Sequence, residues 1–216
     1  MIEAGGDVHA TDDQGNTPLH RAVFVEDISL INVLTEHGAN VNLPNSKGET
    51  ALHNASKLFT RDLDVMKTLI SSGASVNIQD NARKGPLHHT CEFSAMCEAI
   101  KLLIHHGAQM DAYDLKGYCP LHHLIDNFAS TDNEENLLEV IDCFQFRSVQ
   151  DINVTTVTGK TALHLAASSG LHHTIKHLIS CGCNVHYQDG RGRNACLLYT
   201  SPSPRDLSTS RMPSSA

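Results

Sequence analysis

The sequence predicts an all-α solenoid of stacked helix pairs joined by β-hairpin-like turns, and three observations carry that expectation. First, five segments line up with one another: "GNTPLHRAV", "GETALHNAS", "RKGPLHHTC", "GYCPLHHLI" and "GKTALHLAA". The position of Thr17 recurs at Thr50, Gly85, Cys119, Thr161 and Asn194, in steps of 33, 35, 34, 42 and 33 residues. Second, four of the five segments lead into an apolar stretch that closes on glycine, as in "INVLTEHGANVN", "MKTLISSGASVN", "IKLLIHHGAQMD" and "IKHLISCGCNVH". Third, Pro18, Pro86 and Pro120 each stand where a first helical turn begins, a place where the missing N–H costs nothing and φ is already helical. A unit this short cannot bury its own apolar face, so self-similarity at this period means that neighbouring units stack.

The elements follow in order. Residues 1–11 read as the end of a repeat, with Met1 inside a second helix, so the chain is expected to be a piece of a longer array. Full repeats begin near residues 12, 45, 80, 114 and 156, and a partial one spans 189–195, together making a domain over 1–195. In the first repeat Thr17 is placed to cap a short helix. Small Ala22 lies where a neighbouring helix approaches, and Ile28, Ile31 and Leu34 give the second helix its apolar face. Gly38 closes it in a left-handed conformation. The second repeat repeats this with Thr50, Ala55, Val65, Leu69 and Gly73. In the third, Gly85 replaces the capping threonine, Ile100 and Leu103 form the stripe, and Gly107 closes it. Arg83 stands where the other hairpins have glycine, which predicts a strained or differently shaped turn. The fourth repeat has Cys119 at the cap and Val149 in place of the closing glycine. Its extra length falls between His122 and Asn153, and "DNFASTDNEEN" (126–136) is expected to be a polar, acidic loop joining its two helices. The fifth carries Thr161, Ala166, Ile175, Leu178 and Gly182.

Taken together, the fixed phase of [T]-[PA]-L-H and of G-A-x-V-N resembles the ankyrin repeat family, over residues 1–195. The resemblance implies projecting hairpins and a concave surface built from the hairpin tips and the first helices. It implies that Thr17, His20, Thr50, His53, His88, His122, Thr161 and His164 are structural, with the histidines hydrogen-bonding along the hairpin row. It assigns partner contacts to the tips Asp13, Gln14, Lys47, Lys116 and Arg191 and to Phe24, Val25, Leu58, Phe93, Asp126 and Asn127 on the first helices. Phe24, Leu58 and Phe93 fall at nearly equivalent places and are expected to form an apolar stripe of anchors. The function implied is non-enzymatic binding of another protein on the concave face. The alternative is a regulatory or targeting segment of a larger enzyme, ubiquitin-ligase adaptor or ion channel. Asn42 and Asn77, each with a leucine eight residues earlier, resemble the site of the asparaginyl hydroxylase that modifies animal ankyrin repeats.

Composition and spacing exclude several other classes. The net charge of −8 opposes a nucleic-acid partner held through phosphates. No apolar run reaches the length of a membrane span, and "MIEAGGDVHA" has neither the basic nor the apolar part of a signal peptide. Seven cysteines without a CxxC pair read as reduced thiols, which points to the cytoplasm or nucleus. Fifteen histidines invite a metal, but adjacent ones project from different helix faces. His173 and His177 share a face with no third ligand in view. Cys181 and Cys183 read as residues filling a turn. No catalytic set, metal ligands, cofactor or small-molecule substrate is therefore expected.

The pattern breaks at Cys196. Where a Leu-His pair is due, "CLLYTSPSPRD" back-translates into codons resembling the adapter of a transposase-type sequencing library, and "SRMPSSA" resembles its far end. Residues 196–216 are therefore expected to be a non-native, disordered tail.

Overall fold

The structure, a computed structural model, describes residues 7–58, 63–94, 96–129, 134–144 and 152–199. They fall into two compact units, Met1–Leu115 and Lys116–Ala216. Among the described residues there is no strand. A single antiparallel bridge joins Thr155 and Thr161.

The first unit holds α1 (Pro18–Phe24), α2 (Ile28–Glu36), α3 (Ala51–Ser56), α4 (Asp64–Ser71), α5 (Pro86–His89) and α6 (Cys97–His105). The first helices α1, α3 and α5 stack in a row, and α2 packs on α4 behind them. The core lies between the two rows. Leu19, Ala22, Val23, Ile31, Leu34, Leu52, Leu69, Ile100 and Leu103 are all buried there. Ala22 is fully covered, as a close helix approach requires. In the second unit α7 (Pro120–Phe128), α8 (Glu134–Asp142), α9 (Ala162–Ser168), α10 (His172–Ser180) and α11 (Ala195–Tyr199) repeat the scheme. There α7 packs on α9, and α8 on α10. Leu121, Leu124, Ile125, Leu137, Ile141, Leu163 and Leu178 fill the interior, with Phe144 the largest side chain buried.

All five repeated helices begin where the sequence phase puts them, with Thr17, Thr50, Gly85, Cys119 and Thr161 as extended N-cap residues. Thr17, Thr50 and Thr161 cap in a capping box with the motif histidine three residues on, and the threonine Oγ1 lies 2.9, 2.9 and 2.8 Å from Nδ1 of His20, His53 and His164. The N-cap backbone N–H also donates to that Nδ1: Thr17 to His20 at 3.1 Å, Thr50 to His53 at 3.0 Å, Thr161 to His164 at 3.2 Å. Gly85 and Cys119 make the same bond to His88 and His122, each at 3.1 Å. The bond needs only a backbone N–H, which explains why glycine and cysteine serve at a position expected to demand threonine.

The sequence departs from the repeat at three places, with different structural outcomes. The turn at Arg83 keeps the shape of the others. Its N–H donates to the Asp80 carbonyl at 2.8 Å, as Gly15 does to Asp12. Arg83 reaches that shape with φ of 60°, so of the two expected outcomes strain is the one realised. The first helix of the third repeat is four residues long and runs into a π-helical turn over Thr90–Ser94. In the fourth repeat the expected loop is shorter than 126–136. Asp126, Asn127 and Phe128 continue α7, and Glu134, Glu135 and Asn136 open α8. Leu124 and Ile125 fix the face on which that extension continues, and acidic residues suit the first turn of α8. Residues 130–133 and Val149 lie outside the described residues.

Cys91, Cys119, Cys181, Cys183 and Cys196 are free thiols, as expected, but Cys97 and Cys143 are disulfide-bonded, which corrects the expectation of seven reduced thiols: spacing along the chain does not show which cysteines the packing brings within bonding distance of another sulfur. The tail enters the described residues at 196–199, which continue α11 with Cys196 and Leu197 exposed. Residues 200–216 lie outside them.

Candidate protein-interaction site

The hairpins are built alike. At each tip one side chain folds back on the turn: Asp12 Oδ1 accepts from the N–H of Gln14 and Asn16, and Asn45 Oδ1 from Lys47 and Glu49. Asp80 and Asp189 do the same in their hairpins. Such turns hold their shape without a neighbour's help. Adjacent tips are then tied backbone to backbone, Ser46 N–H to Gln14 at 3.0 Å and Asn81 N–H to Lys47 at 3.0 Å in the first unit, and Gly190 N–H to Thr158 at 2.8 Å in the second.

Behind the tips the motif histidines join repeat to repeat. Because Nδ1 accepts from the N-cap N–H, each neutral ring carries its proton on Nε2. His20 Nε2 donates to the Glu49 carbonyl at 2.9 Å, His53 to Lys84 at 3.1 Å and His164 to Arg193 at 3.0 Å. His88 instead reaches the Ala112 carbonyl at 3.0 Å. Burial holds the His20 and His53 rings below their ordinary pKa, outweighing the carbonyls they donate to. A second row is built from Asn42 and Asn77. The Asn42 amide donates to the Gly73 carbonyl at 3.0 Å and accepts from Ser75 N–H at 2.8 Å. Asn77 does the same with Gly107 and Gln109, both at 2.9 Å.

Against this framework the contact residues can be placed. In the first unit Asp13, Gln14, Phe24, Lys47 and Leu58 all line one open depression of about 660 Å³, which His20, Asn54 and Lys57 also line. Phe24 is 73% exposed and Val25 64%, next to fully buried Val23, while Leu58 is half-buried. Charged groups rim the depression in pairs: Arg21 on Asp12 at 2.6 Å and Lys57 on Glu49 at 2.6 Å. Phe93 sits on the π-helical turn and is 41% exposed. In the second unit Lys116, Asp126 and Arg191 are exposed and Asn127 half-buried.

Sequence reasoning missed a buried polar cluster beside this face. His89, the second histidine of "PLHH", donates from Nε2 to Asp80 Oδ2 at 2.9 Å, and both side chains are buried. Its ring stacks on Phe93 with centroids 5.9 Å apart and meets His53 edge-on. Nδ1 has no hydrogen-bond partner among the described residues. Burial first, then the nearby Lys57 charge, bring His89 down to about 4, so the ring is neutral at pH 7. The Asp80 carboxyl is pushed up by burial, but the Lys84 N–H and His89 outweigh that and hold it below its usual range. Doublet spacing shows that His89 leaves the motif row; the fold of its own repeat sets Asp80 and Phe93 against it, and the stacking of repeats adds His53.

A second miss concerns His177. No third ligand was expected near it, yet the packing of α8 on α10 brings Asp142 Oδ1 to 2.7 Å from His177 Nε2, and Cys181 Sγ lies 3.8 Å from the same nitrogen. Asp142 is 35 residues from His177 in the chain, a distance at which spacing carries no signal.

Stacked helix pairs, tied tips and a histidine row define a helical repeat protein built for protein–protein interaction. Family models described as ankyrin repeats in three copies match residues 1–80 and 60–143, and a single ankyrin repeat matches 158–190. These matches span more than half of the chain, which belongs to the ankyrin repeat family. Among curated proteins it resembles the mouse B-cell lymphoma 3 protein homolog, 40% identical over 57 residues, which is 26% of this chain and 13% of that protein. It also resembles mouse ankyrin repeat and SOCS box protein 11, 44% identical over 55 residues, 24% of this chain and 16% of that one. A putative ankyrin repeat protein of fowlpox virus, FPV233, is 42% identical over 57 residues, 26% of this chain and 11% of its own length. The chain thus spans less than a fifth of these relatives. Among solved structures, the ankyrin repeat domain of Bcl-3 superposes with a TM-score of 0.77 at 24% identity, covering 93% of this chain and 85% of that domain. That likeness concerns the fold.

Proposed function

We propose that this chain binds a partner protein without catalysing any reaction, on the concave face that ankyrin arrays form from hairpin tips and first helices. The observation that carries the reading is Phe24, a large apolar side chain 73% exposed at the edge of a depression that five of the expected contact residues line. Exposed aromatics set in a polar rim are the usual anchors of an interface. In the first unit Phe24, Val25, Leu58 and Phe93 supply apolar contact, and Asp13, Gln14 and Lys47 supply register at the tips. Lys116, Asp126, Asn127 and Arg191 form the corresponding polar surface of the second unit. A net charge of −8 favours a protein partner over a nucleic acid. No helix among the described residues is long and apolar enough to cross a membrane.

The test is site-specific photo-crosslinking in cells, with the probe at Phe24 or at Lys47 and, as a control, at Lys101 on the opposite face of the first unit. The same partner should crosslink from Phe24 and Lys47, not from Lys101. For that partner, Phe24→Ala should weaken binding by about 2 kcal/mol with the fold intact. Crosslinks from Lys101 alone would move the interface to the second helices and refute the reading.

A further inference from the structure

Helices α8 and α10 of the second unit bring together three side chains that the repeat scaffold does not require. Asp142 is the last residue of α8. His177 lies in the last turn of α10 and Cys181 is its C-cap. Their donor atoms, Oδ1, Nε2 and Sγ, all lie within 4.8 Å of one another. At the place of His177 the other second helices carry Val33, Thr68 and Leu102, and at the place of Cys181 they carry His37, Ser72 and His106. At these aligned positions a histidine and a cysteine stand one helical turn apart in this repeat, and the preceding α8 ends in a carboxylate beside them.

We propose that Asp142, His177 and Cys181 form a zinc site on the second-helix face of this unit, with water as fourth ligand. The donor set is one carboxylate oxygen, one imidazole nitrogen and one sulfur, a mixture that suits Zn²⁺ and does not suit Mg²⁺ or Ca²⁺. The geometry is close to what the ion needs. Tetrahedral zinc with ordinary bond lengths holds its N and O donors about 3.3 Å apart and its N and S donors about 3.5 Å apart. The side chains stand at 2.7 Å and 3.8 Å. Binding therefore requires the Asp142–His177 hydrogen bond to open by roughly 0.6 Å and the sulfur to close by roughly 0.3 Å. The Asp142 side chain is 65% exposed and that of His177 24%, so both can make the adjustment, and solvent reaches the fourth position. The Cys181 thiol is pushed above its ordinary pKa, first by burial and then by the Asp142 carboxylate. It is thus protonated when no metal is bound, and zinc binding releases the S–H proton to solvent, so affinity rises with pH.

The experiment uses the full chain, reduced and stripped of metal. Titration with Co²⁺ should give one equivalent of binding with a thiolate-to-cobalt charge-transfer band, and Zn²⁺ should displace it. Cys181→Ser and His177→Ala should remove the band and weaken Zn²⁺ binding by at least tenfold, roughly the loss seen when even an outer-shell partner is removed. Cys183→Ser, which alters the buried neighbouring thiol, should leave it unchanged. Zn²⁺ should also slow alkylation of Cys181 while leaving exposed Cys196 reactive, a readout independent of the variants. Failure to bind one equivalent, a band that survives Cys181→Ser, or alkylation of Cys181 unaffected by Zn²⁺ would each overturn the assignment.

Discussion

Replacing Arg83 by glycine should stabilise the protein. Arg83 holds φ of 60° in a turn where the equivalent residues are Gly15, Gly48, Gly117, Gly159 and Gly192, with φ between 71° and 77°. A left-handed conformation costs an L-residue about 1–2 kcal/mol, because Cβ crowds the following carbonyl. Glycine removes that cost but loses more freedom on folding, a penalty of about 0.4–1 kcal/mol. The arginine side chain offsets nothing, since it is exposed and makes no ion pair among the described residues. Arg83→Gly should therefore gain about 0.5–1 kcal/mol. Glu26, at φ of 57° between α1 and α2, occupies the place that Gly170 holds in the fifth repeat, and Glu26→Gly should gain as much. The two sites share no partner, so the gains should add to about 1–2 kcal/mol. Urea unfolding followed by circular dichroism reads this as a midpoint raised by roughly 0.5 M. Gly48→Ala supplies the converse. Its Cβ would lie 2.7 Å from the Asn81 nitrogen and 2.6 Å from its Oδ1, so it should lose more than about 2 kcal/mol. If Arg83→Gly lowers the midpoint while Gly48→Ala behaves as stated, the arginine contributes a native contact and the strain argument is wrong.

Further expectations concern the rows and the tail. His89 falls from its ordinary value to about 4 on burial, so its contribution is whole above pH 6.5 and is lost as pH drops through 4. The full loss is about 3 kcal/mol. His89→Gln should flatten the stability-against-pH slope between those limits, with His20 and His53 leaving some slope behind; an unchanged slope would exclude His89 as its source. Asn42→Ala removes two bonds between repeats, to Gly73 and from Ser75. It should lower the urea midpoint by the equivalent of about 1–3 kcal/mol, and a neutral result would mean that water replaces both. For the tail, deletion of residues 200–216 should leave the midpoint unchanged within about 0.5 kcal/mol. Genomic sequence across the Ala195 codon should not continue as Cys-Leu-Leu-Tyr, and finding that it does would make the tail native.

The sequence by itself determined what is local and periodic. Thr17, Pro18 and their counterparts set where each first helix starts, and the apolar stripe ending at Gly38, Gly73, Gly107 and Gly182 sets where each second helix ends. Those choices depend on residues three or four apart, and their recurrence at one phase identifies the family. Even the strain at Arg83 was legible, because a missing glycine in a repeated turn leaves two outcomes. The tertiary structure decided what depends on a neighbouring repeat. Val23 and Phe24 are adjacent apolar residues on one helix, yet stacking of α3 buries the first completely and leaves the second 73% exposed. The acidic stretch at 126–136 looked like a loop because its composition is polar, whereas burial of Leu124, Ile125 and Leu137 on one side lets helix extend into it from both ends. His89 and His177 looked alike as surplus histidines. Asp80 meets His89 because the hairpin folds back onto the first helix of its own repeat, whereas Asp142 comes within 3 Å of His177 only because the chain returns one repeat later to the same place. Periodicity reports which residues share a face; only the packed repeats determine which faces meet, and so which side chains become neutral, buried or paired.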